Sequence, residues 1–187
     1  IISSKNIFFN PRQLREQDVA HVPEDRQRMG LVTEFDASEN LIFGYHHQAP
    51  FSKSSIMMGK NIYVHSKKIM KEYDVRPQSP FLKTSNFSGG NQQKIILSRE
   101  LNKDPKVLLV GQPTRGVDIG AIEFIHQRII DMRNKGAAIL LVSVELDEIL
   151  SLSDRIVIMF DGSLVGEKIN ENVTDREVGL LMAGITN

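Results

Sequence analysis

The 187-residue sequence contains no cysteine and no excess of either charge, with 23 Lys and Arg balanced by 23 Asp and Glu. The lack of thiols excludes disulfides and thiolate metal sites. Zero formal net charge is unlike a general nucleic-acid binder, which carries a basic excess, so no nucleic-acid partner is expected. Long apolar runs are also missing. The longest, such as residues 139–142, are far too short to cross a bilayer, so any membrane association has to run through a protein partner. The start, Ile1-Ile2, shows no initiator Met, basic n-region or apolar h-region, so no signal peptide is read and the chain looks like an excised piece of something longer. What is present, 41% hydrophobic and 25% charged residues, suits a globular protein of one domain, or one domain with a subdomain.

Along the chain, Asn10-Pro11 reads as a cap and first helical residue of a short helix to Gln17. Residues 19–22 read as a strand stopped by Pro23, and 24–28 as a charged loop. Asp36 and Glu39 have capping-box spacing. Ile62, Ile69 and Tyr73, with Tyr63 and Met70 beside them, recur at helical spacing, with Lys67, Lys68 and Lys71 as a solvated face. Met57 and Met58 read as gap-fillers or loop residues. Ser88 opens a helix to Leu101. From there strands and helices alternate. A strand over 106–110 is followed by a helix capped by Asp118 and closed at Gly136, with Ile122, Ile125, Ile129 and Met132 on one face. Then come a strand over 137–143, a short helix over 145–150, and a strand over 156–160 that turns at Asp161-Gly162. Thr174 and Glu177 form a capping box for a last helix. Such alternation implies a largely parallel sheet flanked by helices.

The run with most chemistry is Phe87-Ser88-Gly89-Gly90-Asn91-Gln92-Gln93-Lys94. Ser is a favoured N-cap, and paired glycines admit another backbone or an anion. A helix starting there offers free N–H groups and a positive dipole end, which suit a terminal phosphate. Taken alone, Ser-Gly-Gly reads more readily as a plain capped helix than as a phosphate site. After it come the strand Val107-Leu108-Leu109-Val110 and the run Gly111-Gln112-Pro113-Thr114-Arg115-Gly116-Val117-Asp118. In this order the set resembles the signature motif, Walker B strand and D-loop of the ABC ATPases. Val22-Pro23-Glu24-Asp25-Arg26 resembles the Q-loop segment in the second ATPase half of sugar- and nucleoside-type importers. Ser143-Val144-Glu145-Leu146 falls at the switch-histidine position, and Asp154-Arg155-Ile156-Val157 with Asp161-Gly162 is similar to the closing strands.

The resemblance implies an α/β, RecA-like P-loop NTPase core over 1–37 and 105–187, truncated at its N-terminus, with a helical signature-motif subdomain over 38–104. No Gly-x-x-x-x-Gly-Lys-Ser/Thr occurs, so the loop that cradles phosphates is absent; in the family it lies upstream of the segment beginning at Ile1. Other departures are substitutions. Gly111 stands where the family has the Asp that organises Mg²⁺, and Gln112 where it has the Glu that polarises the attacking water. Val144 replaces the switch His and Glu24 the Q-loop Gln. Losing a general base alone costs roughly 10²–10⁴-fold, and phosphoryl transfer depends on positioning and charge neutralisation. No catalytic residue is therefore intact here, and a degenerate cis site is expected.

In ABC ATPases the signature acts in trans, so Ser88, Gly89, Gly90 and Asn91 are expected to complete the ATP site of the first half of the same parent chain, with Asp118 at the same interface. Glu24, Asp25 and Arg26 are expected at the coupling route to the membrane subunit. The implied cofactors are ATP and Mg²⁺ in the parent assembly, with none bound tightly by this segment and no metal held by it. The implied partners are the first ATPase half, transmembrane permease subunits and, indirectly, an extracellular substrate-binding protein. The implied place is the cytoplasmic face of the membrane, peripherally. Residues 113–118 with Gln112 look more like the nucleoside branch than the sugar branch. His46, His47, His65 and His126 lack ligand spacing with carboxylates. Two alternatives stay open: a soluble ABC ATPase of translation or DNA repair, for which no coiled-coil insertion or basic extension is visible, and a non-catalytic regulatory or interaction module.

Overall fold

The computed structural model describes residues 9–185, so the expected core segments 1–37 and 105–187 each end outside the described residues. Two compact units result, one reaching Leu140 and the other starting at Leu141. In the first, Asn10 and Gln13 form a reciprocal capping box on α1 (Pro11–Glu16), each side chain accepting from the other's backbone N–H at 2.9 Å. β1 (Val19–Val22) pairs in parallel with β4 (Val107–Gly111), with Val19 opposite Val107 and Val22 opposite Val110. Pro23 then stops β1, because it has no N–H for the ladder. With β5 (Ala138–Val142) these strands form a sheet of order β1-β4-β5.

Two local expectations change. Residues 24–28 read as loop, yet Arg26–Gly30 winds into one π-type turn, because Asp25 Oδ1 accepts from the N–H groups of Gln27 and Arg28 at 3.1 and 3.0 Å. Around Met57 the chain makes a small hairpin of β2 (Ser52–Lys53) and β3 (Ile56–Met57). Its turn residues Ser54 and Ser55 both have positive φ, 49° and 65°. That conformation normally advertises itself through Gly or Asn, so the sequence carries little signal for it.

The helical part packs around α4 (Gly89–Leu101). The Asp36–Glu39 capping box forms on α2 (Ala37–Ile42), and α3 (Gly59–Glu72) turns Ile62, Ser66, Ile69 and Met70 inward while Lys67, Lys68 and Lys71 face solvent. From Gln92 to Leu101 every residue of α4 is buried, including several polar ones that need partners inside, although Gln93 Nε2 and Glu100 Oε2 have no hydrogen-bond partner. Arg99 Nε donates to Glu100 Oε1 at 2.8 Å, and Arg99 Nη1 donates to the carbonyls of Gly30 at 2.9 Å and Asn40 at 3.4 Å. Asn40, fully buried, donates to Thr84 Oγ1, Val32 O and Asp36 O and accepts from Val32 N–H. Gln92 donates to Thr84 O at 3.1 Å and accepts from Gln27 at 3.1 Å. Tyr45, buried and near Glu100, has its phenol pushed up to about 12, chiefly by burial.

α5 (Ile119–Asn134) ends in a Schellman motif. Gly136, at φ 95°, donates to Arg133 O, and Ala137 donates to Met132 O. The second unit holds α6 (Leu146–Leu152), the antiparallel pair β6 (Arg155–Phe160) and β7 (Ser163–Ile169), and α7 (Asp175–Met182). The turn at Asp161-Gly162 and the Thr174–Glu177 capping box are both as the sequence predicts. Ile156, Ile158 and Val178 form the core of this unit, while Val157, Met159, Leu164 and Ile169 on its strands are exposed. Among the described residues no helix is long and apolar enough to cross a membrane.

Removing one partner of the buried Arg99–Glu100 pair strands the other charge without water. Arg99→Met is expected to lower the free energy of unfolding by roughly 3–5 kcal/mol, with the double variant Arg99→Met/Glu100→Met less damaging than the sum of the two singles. Urea denaturation of the four proteins measures both.

Candidate functional site

α4 begins at a bare edge. Ser88, exposed and extended at φ −61° and ψ 159°, caps it, its Oγ accepting from Asn91 N–H at 3.5 Å and from Asn91 Nδ2 at 2.9 Å. Asn91 is itself held from outside the helix, its Oδ1 accepting from Arg76 N–H at 2.7 Å. Beneath it Lys94 reaches Asp74, donating to the backbone O at 3.0 Å. A hydrogen bond from Arg76, with Lys94 close by, holds the Asp74 carboxyl below its ordinary range against the opposing effect of burial. The first turn of α4 is thus fixed on one side by the 74–76 segment.

On its other side the same turn meets the two remaining motif runs. A Cβ on Gly90 would lie 2.8 Å from Asp118 Oδ2 and 3.1 Å from Ala121 Cβ, so only glycine lets the starts of α4 and α5 lie this close. Asp118 caps α5, Oδ1 accepting from Ala121 N–H at 3.0 Å. A Cβ on Gly89 would lie 2.6 Å from Arg26 Nη2 and 3.0 Å from Gly116 O. Arg26 donates from Nη1 to Arg115 O at 2.7 Å and from Nη2 to Gly116 O at 3.5 Å, and Arg115 Nη1 donates to Glu24 Oε1 at 2.7 Å. Glu24, Asp25, Arg26, Gln27, Arg115 and Gly116 line an open cleft of about 310 Å³.

Gly111 ends β4, where a Cβ would meet the backbone N of Glu24 at 3.1 Å. Gln112 follows in the left-handed region at φ 46°. Neither residue offers a divalent cation an anionic side chain: Gly111 has no side chain, Gln112 has a neutral amide, and no group of three or more His, Asp or Glu gathers among the described residues. The residues expected at a Walker B metal position thus lack the carboxylate that would neutralise Mg²⁺ and fit it poorly.

Ser88, Gly89, Gly90, Asn91, Asp118, Glu24 and Arg26 thus come together around two helix starts, with Asp25 acting as the cap of the Arg26 turn. Val144 lies in the second unit and is exposed. Sequence reasoning gave Arg115 and Gly116 no role of their own. Gly116 carried a readable sign, a glycine before a helix cap, and it does sit at φ 64°. Arg115 carried none, because its partner Glu24 is 91 residues away.

No protein-family model matches the chain. The nucleoside import ATP-binding protein NupA of Lactococcus lactis subsp. cremoris is 47% identical over 174 residues, covering 93% of this chain and 34% of that protein. The guanosine import ATP-binding protein NupO of Bacillus subtilis is 41% identical over 178 residues, 95% of this chain and 35% of that one. A solved ATP-binding subunit of an ABC transporter superposes with TM-score 0.69 at 20% identity, over 92% of this chain and 71% of that one. A dimeric ATP-binding cassette, MJ0796, in a post-hydrolysis state with ADP and Pi superposes with TM-score 0.67 at 22% identity, over 86% and 66%. The chain belongs to the ABC ATPase family. It spans about a third of the length of the curated relatives it matches. Its fold is that of the ABC cassettes, a RecA-like mixture of helices and sheet.

In this ABC ATPase chain, Asp118 has a structural task that is separable from any wider role. Asp118→Ala is expected to cost about 1 kcal/mol of stability through loss of the α5 cap, whereas Asp118→Asn, which still caps, is expected to cost much less. Thermal melts of the two variants provide the check.

Proposed function

We propose that this chain is the second nucleotide-binding half of the ATP-binding subunit of an importer, lending its signature turn to an ATP site whose phosphate loop lies in the first half. The observation that carries this reading is the start of α4. Ser88 stands exposed at the helix end, and Gly89 and Gly90 let the Arg26 and Asp118 runs pack against the first turn. Free amides and the helix dipole make such an end favourable for a phosphate presented by a second surface. The dimeric, ADP- and Pi-bound neighbour supports nucleotide chemistry between cassettes. Gly111, Gln112 and Val144 supply neither metal ligand, general base nor switch, so the cis site of this half is degenerate and binds rather than hydrolyses. Residues 38–104 act as the helical subdomain that carries the signature, and 1–37 with 105–187 as the core.

The assembly then pairs this half with the first half of the same parent chain, with permease subunits in the membrane and with an extracellular substrate-binding protein. It works at the cytoplasmic face as a peripheral ATPase, using ATP and Mg²⁺. Nucleosides are the favoured cargo: the nucleoside and guanosine import proteins match at 47% and 41%, against 36% for the glucose import protein of Haloferax volcanii. Import driven by ATP hydrolysis, rather than a soluble role in translation, is the reading these likenesses support.

The structure changes the choice of probe. Gly89→Asp would test packing as much as charge, since its Cβ meets Arg26 and Gly116. Ser88→Asp keeps a good cap while placing a negative charge where the terminal phosphate docks, and Ser88→Asn keeps the cap without the charge. In the full-length protein with its permease, Ser88→Asp is expected to lower steady-state ATPase turnover by roughly 10²-fold or more through charge repulsion in a closed interface. Ser88→Asn and Gln112→Ala are expected to leave most of it, and Gln112→Glu to create no second fast site. Loss with Gln112→Ala alongside full activity with Ser88→Asp would show that the active and degenerate sites are assigned the wrong way round.

A further inference from the structure

We propose that Arg26 is a positioning residue that locks the first turn of the signature helix to the 115–116 turn, so that Ser88 and the α4 amides are presented to the partner half's nucleotide in one geometry. This rests on the trans reading above and adds an internal device to it. The guanidinium forks onto two successive carbonyls, Arg115 O at 2.7 Å and Gly116 O at 3.5 Å. The same Nη2 packs so closely on Gly89 that a Cβ there would lie 2.6 Å away. Gly116 completes the seat, at φ 64°, where a Cβ would lie 3.6 Å from Nη2.

The arrangement is not one that stability alone would select. Arg26 is half-buried, these hydrogen bonds reach uncharged carbonyls, and its Nε is buried with no hydrogen-bond partner, which carries a desolvation cost. Its cation also lies beside the positive end of α4, an unfavourable place for it. The carboxylate two residues away, Glu24, pairs with Arg115 instead. Residues 24–26 are thereby tied twice to 115–116, by a fork onto the backbone and by an ion pair. A planar five-donor fork fixes two carbonyls at once in a way that an ammonium cannot, and a misplacement of about 1 Å in a catalytic array costs roughly 10²-fold in rate.

The test compares Arg26→Ala, Arg26→Lys, Gly89→Ala and the double variant Arg26→Ala/Gly89→Ala with Ser88→Asp, all in the full-length protein with its permease. Steady-state ATPase and melting temperature are measured for each. Arg26→Ala is expected to lower kcat roughly 10- to 100-fold while KM for ATP moves by less than about threefold, because a group acting on transition-state geometry changes kcat more than ground-state binding. Arg26→Lys, with the charge but not the fork, is expected to recover only part. Gly89→Ala is expected to be slow by itself, and adding Arg26→Ala is expected to cost little more, since the tightest contact, with the guanidinium, is already gone and only the Gly116 O contact at 3.0 Å is left. Full kcat in Arg26→Ala, or strictly additive losses in the double variant, would overturn the inference. If Ser88→Asp abolishes turnover while Arg26→Ala spares it, only this inference falls; if Ser88→Asp leaves turnover intact, the trans reading falls and this inference with it.

Discussion

A helix buried on almost every side constrains the rest of the first unit. α4 carries Gln92, Gln93, Lys94, Ser98, Arg99 and Glu100 into the interior, and each polar group left without a partner there would cost about 1–3 kcal/mol. The surrounding segments are held where those partners are needed. Asn40 and Thr84 come together to serve each other and Gln92, and Gly30 and Asn40 turn their carbonyls to Arg99. Hydrogen bonds have direction, so a network of this kind sets the rotation of α4 about its own axis more tightly than apolar packing alone would.

That rotation decides which residues emerge at the uncovered end. With α4 set by Arg99 and Gln92, the first turn faces Asp118 and Arg26 with Gly90 and Gly89, and side chains at either position would push the neighbouring motif runs away. Ser88 is then left pointing outward. The two glycines therefore serve packing inside the chain and, on the proposed reading, the docking of an anion as well. A substitution there tests both roles at once, which makes Ser88 the cleaner handle on the nucleotide.

Much of this was legible in the sequence. The caps at Asn10, Asp36, Ser88, Asp118 and Thr174 are local features, each set by a side chain and an amide about three residues apart, and all form. The order of the motif runs located the residues that gather around the two helix starts. What could not be read was long-range or against type. The Arg26 and Glu24 contacts join residues about ninety positions apart, and no local pattern encodes which arginine faces which carbonyl. The 52–57 hairpin turns through two serines at positive φ, where the sequence lacks the usual glycine. Residues 137–143 read as a strand, and 138–142 form one, yet Leu140 and Val142 stand 59% and 58% exposed. Apolar pattern reports what a strand can bury, and another surface has to be present before it does so.

The substitutions at the end of β4 belong to the same packing. On the proposed reading Gly111 is more than a lost aspartate, since the backbone N of Glu24 lies 3.1 Å from where a Cβ would be. The segment leading from β1 into the Arg26 turn lies close against that position and would have to give by a few tenths of an ångström to admit a side chain. Glu24 is tied there by Arg115, and Gln112 follows in a left-handed conformation that disfavours most side chains. Returning an aspartate to 111 would press on the strand exit that also carries Arg26. On the proposed reading, the geometry that lets this half serve its partner's ATP is therefore built in part from the space its own metal ligand gave up. On the same reading, an aspartate returned to 111 would bring a metal ligand only by displacing the backbone at Glu24.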